Sequence, residues 1–147
     1  IFEGATINSP SMLATEDYIF ALEWVKAIGG REAMFARADA NARIVHDWIE
    51  ATPWLRNMAT DPALRTNTGV CMVFTGEWYE GLSPEAQASV PKTIAGTLEK
   101  MGIGYDFNGY RDAPPSLRIW CGSTVEQEDI KRLLPWIEWA YEKVKNG

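Results

Sequence analysis

Asn108-Gly109-Tyr110-Arg111-Asp112-Ala113-Pro114-Pro115-Ser116-Leu117-Arg118-Ile119-Trp120-Cys121-Gly122 is the stretch on which the reading of this chain turns. Pro114-Pro115 fixes consecutive φ angles and pushes Ala113 and Pro114 toward extended backbone, which makes the first half a stiff loop. Leu117, Ile119 and Cys121 then alternate with Arg118 and Trp120, the period of a strand with one apolar face. Arg118 is therefore expected to share a face with Trp120. Arg111 in the loop and Arg118 on the strand form a candidate two-point anchor for a small dianion, because guanidinium groups grip carboxylate and phosphate bidentately. The alternative is that both are surface residues paired with acids such as Asp112.

Working outward, Ile103 to Phe107 reads as the strand that leads into this loop. Ser83-Pro84-Glu85 opens the preceding helix with an N-cap, a proline at the first position and an acid. Val90, Ile94, Leu98 and Met101 form its apolar stripe, and Pro91 is its weak point. Val70-Cys71-Met72-Val73-Phe74 is an apolar run of strand length, Trp54 to Ala59 a short strand, and Gly76 to Gly81 a loop. Beyond Cys121, Thr124-Val125-Glu126-Gln127 has the form of a capping box. The helix after it buries Ile130, Leu133, Leu134, Ile137, Ala140, Tyr141 and Val144, with a kink expected at Pro135.

Toward the N-terminus, a helix from Arg31 to Ala51 carries Met34, Ala38, Ala42, Val45 and Ile49 at helical spacing. Arg37, Asp39, Asn41, Arg43, Asp47 and Glu50 are assigned to its solvated face. His46 flanks the apolar stripe without a metal-ligand pattern around it and reads as structural. Before it, Thr15 is the expected N-cap of a helix ending at Gly29-Gly30. Tyr18, Ala21, Leu22, Val25 and Ile28 form one apolar stripe of that helix, and Phe20, Trp24 and Ala27 a second. A helix apolar on two sides is expected to lie between layers, one of them outside this chain. Residues 1–14 read as an extended arm. Its Asn8-Ser9-Pro10-Ser11 is turn chemistry that either forms an ordinary polar loop or offers donors to phosphate oxygens. The expected organisation is the arm at 1–14, connecting helices at 15–52 and a small domain at 53–147. The fold class is α/β of the α+β type, a short, largely antiparallel sheet of paired strands covered on one face by helices.

The chain has 147 residues and a net charge of −6, which disfavours nucleic acid and anionic membranes as partners. No apolar run is long enough to span a bilayer. Cys71 and Cys121 lie in apolar strand-like runs and make neither a zinc motif nor a disulfide framework, so reduced thiols in a cytosolic protein are expected. No glycine-rich phosphate loop and no nucleophile elbow is present.

The run from Tyr110 through Glu126, with Arg111, Pro114-Pro115, Arg118 and Trp120-Cys121-Gly122 in place, resembles the C-terminal signature of the phosphoserine aminotransferase family. That family belongs to the class V, fold type I pyridoxal-phosphate enzymes, and the match is to its divergent proteobacterial and archaeal branch. Gly4 to Met12 is similar to the family's segment that follows the cofactor-binding domain. The resemblance implies the small C-terminal aminotransferase domain, with the cofactor domain expected ahead of Ile1. It further implies a cytoplasmic homodimer that makes phosphoserine in serine biosynthesis from glutamate and 3-phosphohydroxypyruvate. By match to the motif, Arg118 would take the α-carboxylate of these dianionic substrates (phosphoserine, glutamate, 2-oxoglutarate). Arg111, with Tyr110 beside it, would take the distal phosphate or carboxylate. Asn8 and Ser9 would reach the phosphate of pyridoxal 5'-phosphate across the dimer. Tyr110 departs from the histidine many members carry, and the spacing between the two arginines is one residue longer than in the commoner branch.

Transamination with this cofactor needs a Schiff-base lysine in a desolvated pocket. Lys26, Lys92, Lys100, Lys131, Lys143 and Lys145 all fall on expected helices among polar neighbours. The resemblance places the catalytic lysine in the absent domain, and the chain alone is expected to be inactive. Two further readings stay open. One is the small domain of another class V aminotransferase of the alanine or serine-glyoxylate type. The other is a non-catalytic domain that binds an anion or a protein.

Overall fold

Ser11 rather than Thr15 opens the first helix. In the computed structural model, which describes Asn8, Ser9 and residues 11–147, α1 runs Met12–Ala27, and the Ser11 side chain accepts from Ala14 N at 3.3 Å. Thr15 lies inside that first turn, its hydroxyl donating to the Ser11 carbonyl at 2.9 Å. Met12, Leu13 and Ala14 thus belong to the helix and not to the expected arm. The rest of the arm apart from Asn8, Ser9 and Ser11 lies outside the described residues. The chain divides into two units, Ile1–Ala36 and Arg37–Gly147. In the first unit, α1 carries the apolar residues of both expected stripes and none of its residues is buried.

The second helix, α2 (Gly30–Ala51), crosses that boundary. In the second unit it buries Ala38, Ala42, Val45 and Ile49 at the expected helical spacing. Asn41 and Arg37 correct the expectation of a solvated face. Asn41 is 1% exposed, and its amide nitrogen donates to the carbonyls of Cys121, Gly122 and Val125 at 3.3, 3.2 and 2.8 Å. Arg37 donates to the Ser123 carbonyl at 2.8 Å and pairs with Glu126. A loop folded over a helix leaves buried carbonyls, and side chains on that helix must satisfy them. His46 Nδ1 lies 2.7 Å from the buried Asn57 Oδ1, in keeping with its structural reading.

Three antiparallel strands in the order β1-β2-β3 make the sheet: β1 (Leu55–Asn57), β2 (Gly69–Phe74) and β3 (Ser116–Trp120). The register sets Met72 opposite Leu117 and Val70 opposite Ile119, all four buried on the core face. Cys71 opposite Arg118 and Gly69 opposite Trp120 fall on the other face. The core closes over the first face with Ile94 and Leu98 of α4 (Pro84–Lys100) and Ile130 and Ile137 of α5 (Gln127–Asn146), all buried. Trp54 stacks on Tyr141 with ring centroids 3.8 Å apart, so part of the tryptophan content is core.

Four local expectations fail for identifiable reasons. Ile103–Phe107 does not form a strand. Asp106 takes a left-handed φ of 61°, which breaks extension, and this segment joins the sheet through an Asn108–Leu117 bridge and the Arg118 N bond to Phe107 O at 2.8 Å. Gly76 to Gly81 encloses the short helix α3 (Glu77–Glu80). Met101 caps α4 and is exposed, outside the buried stripe. The capping box does not form: Glu126 is the N-cap of α5 without a side-chain cap bond, because Arg37 takes its carboxylate and Asn41 holds the Val125 carbonyl. Pro91 is tolerated within α4. Its missing N–H would have served the Gln87 carbonyl, and Tyr79 OH donates there instead at 3.4 Å. No helix among the described residues is long and apolar enough to cross a membrane.

Candidate functional site

Strand β3 lifts Arg118 onto the face of the sheet away from the core because Leu117 and Ile119 on either side of it are buried. Its backbone N–H is tied to Phe107 and its guanidinium donates to Asp106 Oδ2 at 2.6 Å. The guanidinium side chain stays about a third exposed, at 36%, while Asp106 is 81% exposed. This is the same charge-assisted geometry with which an arginine holds any carboxylate. Trp120 shares the face, as the alternation requires, and its indole lies against Gly122, where an added Cβ would stand 2.6 Å from the ring. Arg118, Asp106, Trp120, Tyr105, Thr66 and Thr68 line a cleft of about 420 Å³. One wall of it is aromatic, one hydroxylic, and one side carries a cation.

Arg111 and Tyr110 stand elsewhere. The loop that carries them closes through Gly109 N to Ser116 O at 3.1 Å and Ala113 N to Tyr110 O at 2.9 Å. Gly109 sits directly against the Ser116 hydroxyl, leaving no room for a Cβ. Arg111 is exposed and pairs with the neighbouring Asp112 at 3.5 Å, the surface pairing that the sequence left open. Tyr110 is also exposed. Both line a second cleft of about 430 Å³ together with Lys92, Pro115 and Ser116. The structure therefore does not bring Arg111 and Arg118 into one cleft; each anchors its own.

Asn8 and Ser9 lie in the first unit, both exposed. Ser9 N donates to Asn8 Oδ1 at 2.8 Å, and the Asn8 amide nitrogen and the Ser9 hydroxyl belong to exposed residues that have donors to offer. That donor set fits the oxygens of a phosphate. The lysines do not fit the other demand of a pyridoxal-type cofactor: all of them are exposed, and a Schiff-base lysine wants desolvation. Both cysteines are free. The buried Cys121 thiol is not a candidate nucleophile, because burial pushes that thiol up to about 11. No cluster of His, Cys, Asp and Glu among the described residues is able to hold a metal.

Two residues of these clefts escaped the sequence reading. Asp106 precedes Phe107 in what scanned as a strand, and only its left-handed backbone turns its carboxylate onto Arg118. Lys92 belongs to α4, and nothing in the sequence links that helix to the Tyr110–Pro115 loop.

No family model matches the chain. It is 42% identical over 145 residues to the phosphoserine aminotransferase of Methanosarcina barkeri and 40% identical over 145 residues to that of Methanosarcina mazei. Each alignment covers 99% of this chain and 36% of the relative. The chain thus spans about a third of the length of the curated relatives it matches. Among solved structures, a pyridoxal-phosphate-bound phosphoserine aminotransferase from Trichomonas vaginalis superposes with a TM-score of 0.74 at 17% identity, covering 92% of this chain and 35% of that one. The phosphoserine aminotransferase of Bacillus circulans subsp. alkalophilus gives 0.73 at 18% identity, with 92% and 34% covered. The likeness to the solved structures is one of fold. Over 99% of its own length the chain is thus similar to a part, about a third, of the Methanosarcina phosphoserine aminotransferases.

Proposed function

We propose that this chain supplies the substrate-gripping portion of a pyridoxal-phosphate-dependent phosphoserine aminotransferase. The enzyme moves an amino group from glutamate to 3-phosphohydroxypyruvate in serine biosynthesis and works in the cytoplasm as a homodimer. The observation that carries this reading is Arg118, held on the open face of the sheet in a cleft with its guanidinium already engaged with a carboxylate.

In this reading Arg118 exchanges Asp106 for the α-carboxylate that every substrate shares. The exposed Asp106 pair is weak, of order 0–1 kcal/mol, and so is readily exchanged. Trp120 excludes water from one side of that contact. Arg111, with Tyr110 beside it, binds the distal phosphate or carboxylate. Because the two arginines stand in different clefts, the two ends of one dianion are gripped by Arg118 of one protomer and Arg111 of its partner. Asn8 and Ser9 donate to the cofactor phosphate from the partner side of the dimer. Bound pyridoxal phosphate supplies the carbonyl that accepts the amino group and the ring that takes up electrons. None of this chain's exposed lysines suits its attachment, so in this reading the attaching lysine lies outside the sequence described.

An aminotransferase for neutral substrates such as alanine or serine would need no cation at the distal end. Arg111, exposed in a cleft whose lining includes Lys92 and no acid, favours the dianionic class. The test is glutamate formation from phosphoserine and 2-oxoglutarate by the full-length protein with added cofactor. Turnover of phosphoserine well above that of alanine or serine with glyoxylate is expected. The reverse preference, or none, removes the reading.

A further inference from the structure

The cleft beside the Tyr110–Pro115 loop has a composition that a single arginine does not explain. The chain carries a net charge of −6, yet this cleft of about 430 Å³ is lined by Lys92 and Arg111 and by no acid. Lys92 follows the buried Pro91 on α4 and is exposed, and it has no ion-pair partner among the described residues. Ser116 lines the same cleft at 3% exposure, and its hydroxyl oxygen is buried without a hydrogen-bond partner among the described residues. A buried hydroxyl left unpaired is unfavourable. Two cations and a phenol line one concavity built from α4 and the loop, and the Ser116 hydroxyl lies buried behind it against Gly109.

A carboxylate has one charge and two oxygens, and one guanidinium fork satisfies both. A phosphate monoester carries about −1.5 to −2 charges near neutral pH and has three strong acceptor oxygens. One fork leaves a phosphate oxygen and about half its charge unmatched. Lysine meets that remainder as a point charge.

We infer that Lys92 completes the Arg111 cleft as a phosphate-monoester site and sets the preference for a phosphate-bearing over a carboxylate-bearing substrate. The inference rests on the reading above only in taking Arg111 as the distal anchor. Lys92 touches the distal group alone, so it is a specificity residue.

The experiment compares Lys92→Gln and Lys92→Arg in the full-length protein, with cofactor bound. The Michaelis constants for phosphoserine and for glutamate are measured from roughly pH 5 to pH 8, a range that spans the phosphate pKa near 6, and binding of inorganic phosphate is followed by titration calorimetry. Lys92→Gln is expected to raise the KM for phosphoserine about tenfold at the upper end of that range, the scale of one lost charged hydrogen bond. The KM for glutamate changes by about threefold or less, and Lys92→Arg recovers most of the loss. The phosphoserine effect shrinks toward low pH, where the ester is a monoanion; a merely structural role for Lys92 would not follow the ionisation of the ligand. Equal increases for both substrates, or phosphoserine and phosphate binding unchanged in Lys92→Gln, overturn the inference. Phosphate binding that depends on Lys92 in a wild-type protein that does not turn over phosphoserine keeps the site and removes the reaction. Turnover of phosphoserine that is indifferent to Lys92 keeps the reaction and removes the site.

Discussion

Arg118 stands on the open face of the sheet because Leu117 and Ile119 go to the core, so Arg118 and Trp120 go the other way. Its partner Asp106 reaches it from a left-handed backbone position, a conformation that aspartate and asparagine adopt more readily than most residues. Asp106→Asn separates partner from obstacle. Asparagine tolerates the same backbone and removes the charge that competes for the guanidinium. The substitution is expected to lower the KM for phosphoserine and glutamate by about fivefold or less, the range of an exposed ion pair worth up to ~1 kcal/mol. Steady-state kinetics of the full-length protein check this. A rise of tenfold or more would mean that Asp106 orients Arg118 instead of competing for it.

At the scale of elements, helices and core strands were readable and the joints between them were not. Val90, Ile94 and Leu98, or Ile130, Ile137 and Tyr141, announce buried helix faces by spacing alone. The joints are set by contacts far apart in sequence. Asn41 and Arg37 scanned as solvent-facing because periodicity counts polar residues as outside, whereas the Cys121–Glu126 loop folded over α2 requires donors there. The same contacts displace the capping box predicted at Thr124. Asn41→Asp would replace a three-bond donor with an acceptor facing three carbonyls. It is expected to destabilise the second unit by about 3 kcal/mol or more, the range for breaking a buried polar network. Chemical denaturation measures the loss, and a change below about 1 kcal/mol would show that the loop is held without Asn41.

For the whole molecule, the sheet and its helices follow from the pattern of strand, helix and turn signals, and the relatives agree. The two candidate clefts do not follow from it. Arg111 and Arg118 look like a single anchor in one dimension, whereas the structure gives each its own cleft. The central claim is that these clefts divide the two ends of a dianionic substrate between them. The most direct measurement is single-turnover kinetics of both half-reactions, with phosphoserine and with glutamate, in full-length Arg118→Lys and Arg111→Lys. Lysine keeps the charge and loses the fork, so the loss reports bidentate geometry. Arg118→Lys is expected to slow both half-reactions alike, by roughly ten- to a hundredfold, because the α-carboxylate is common to both. Arg111→Lys is expected to slow them by unequal factors, because phosphate and carboxylate differ in charge and in oxygens to be held. Equal losses in the Arg111 variant, or a loss confined to one substrate in the Arg118 variant, would contradict the assignment.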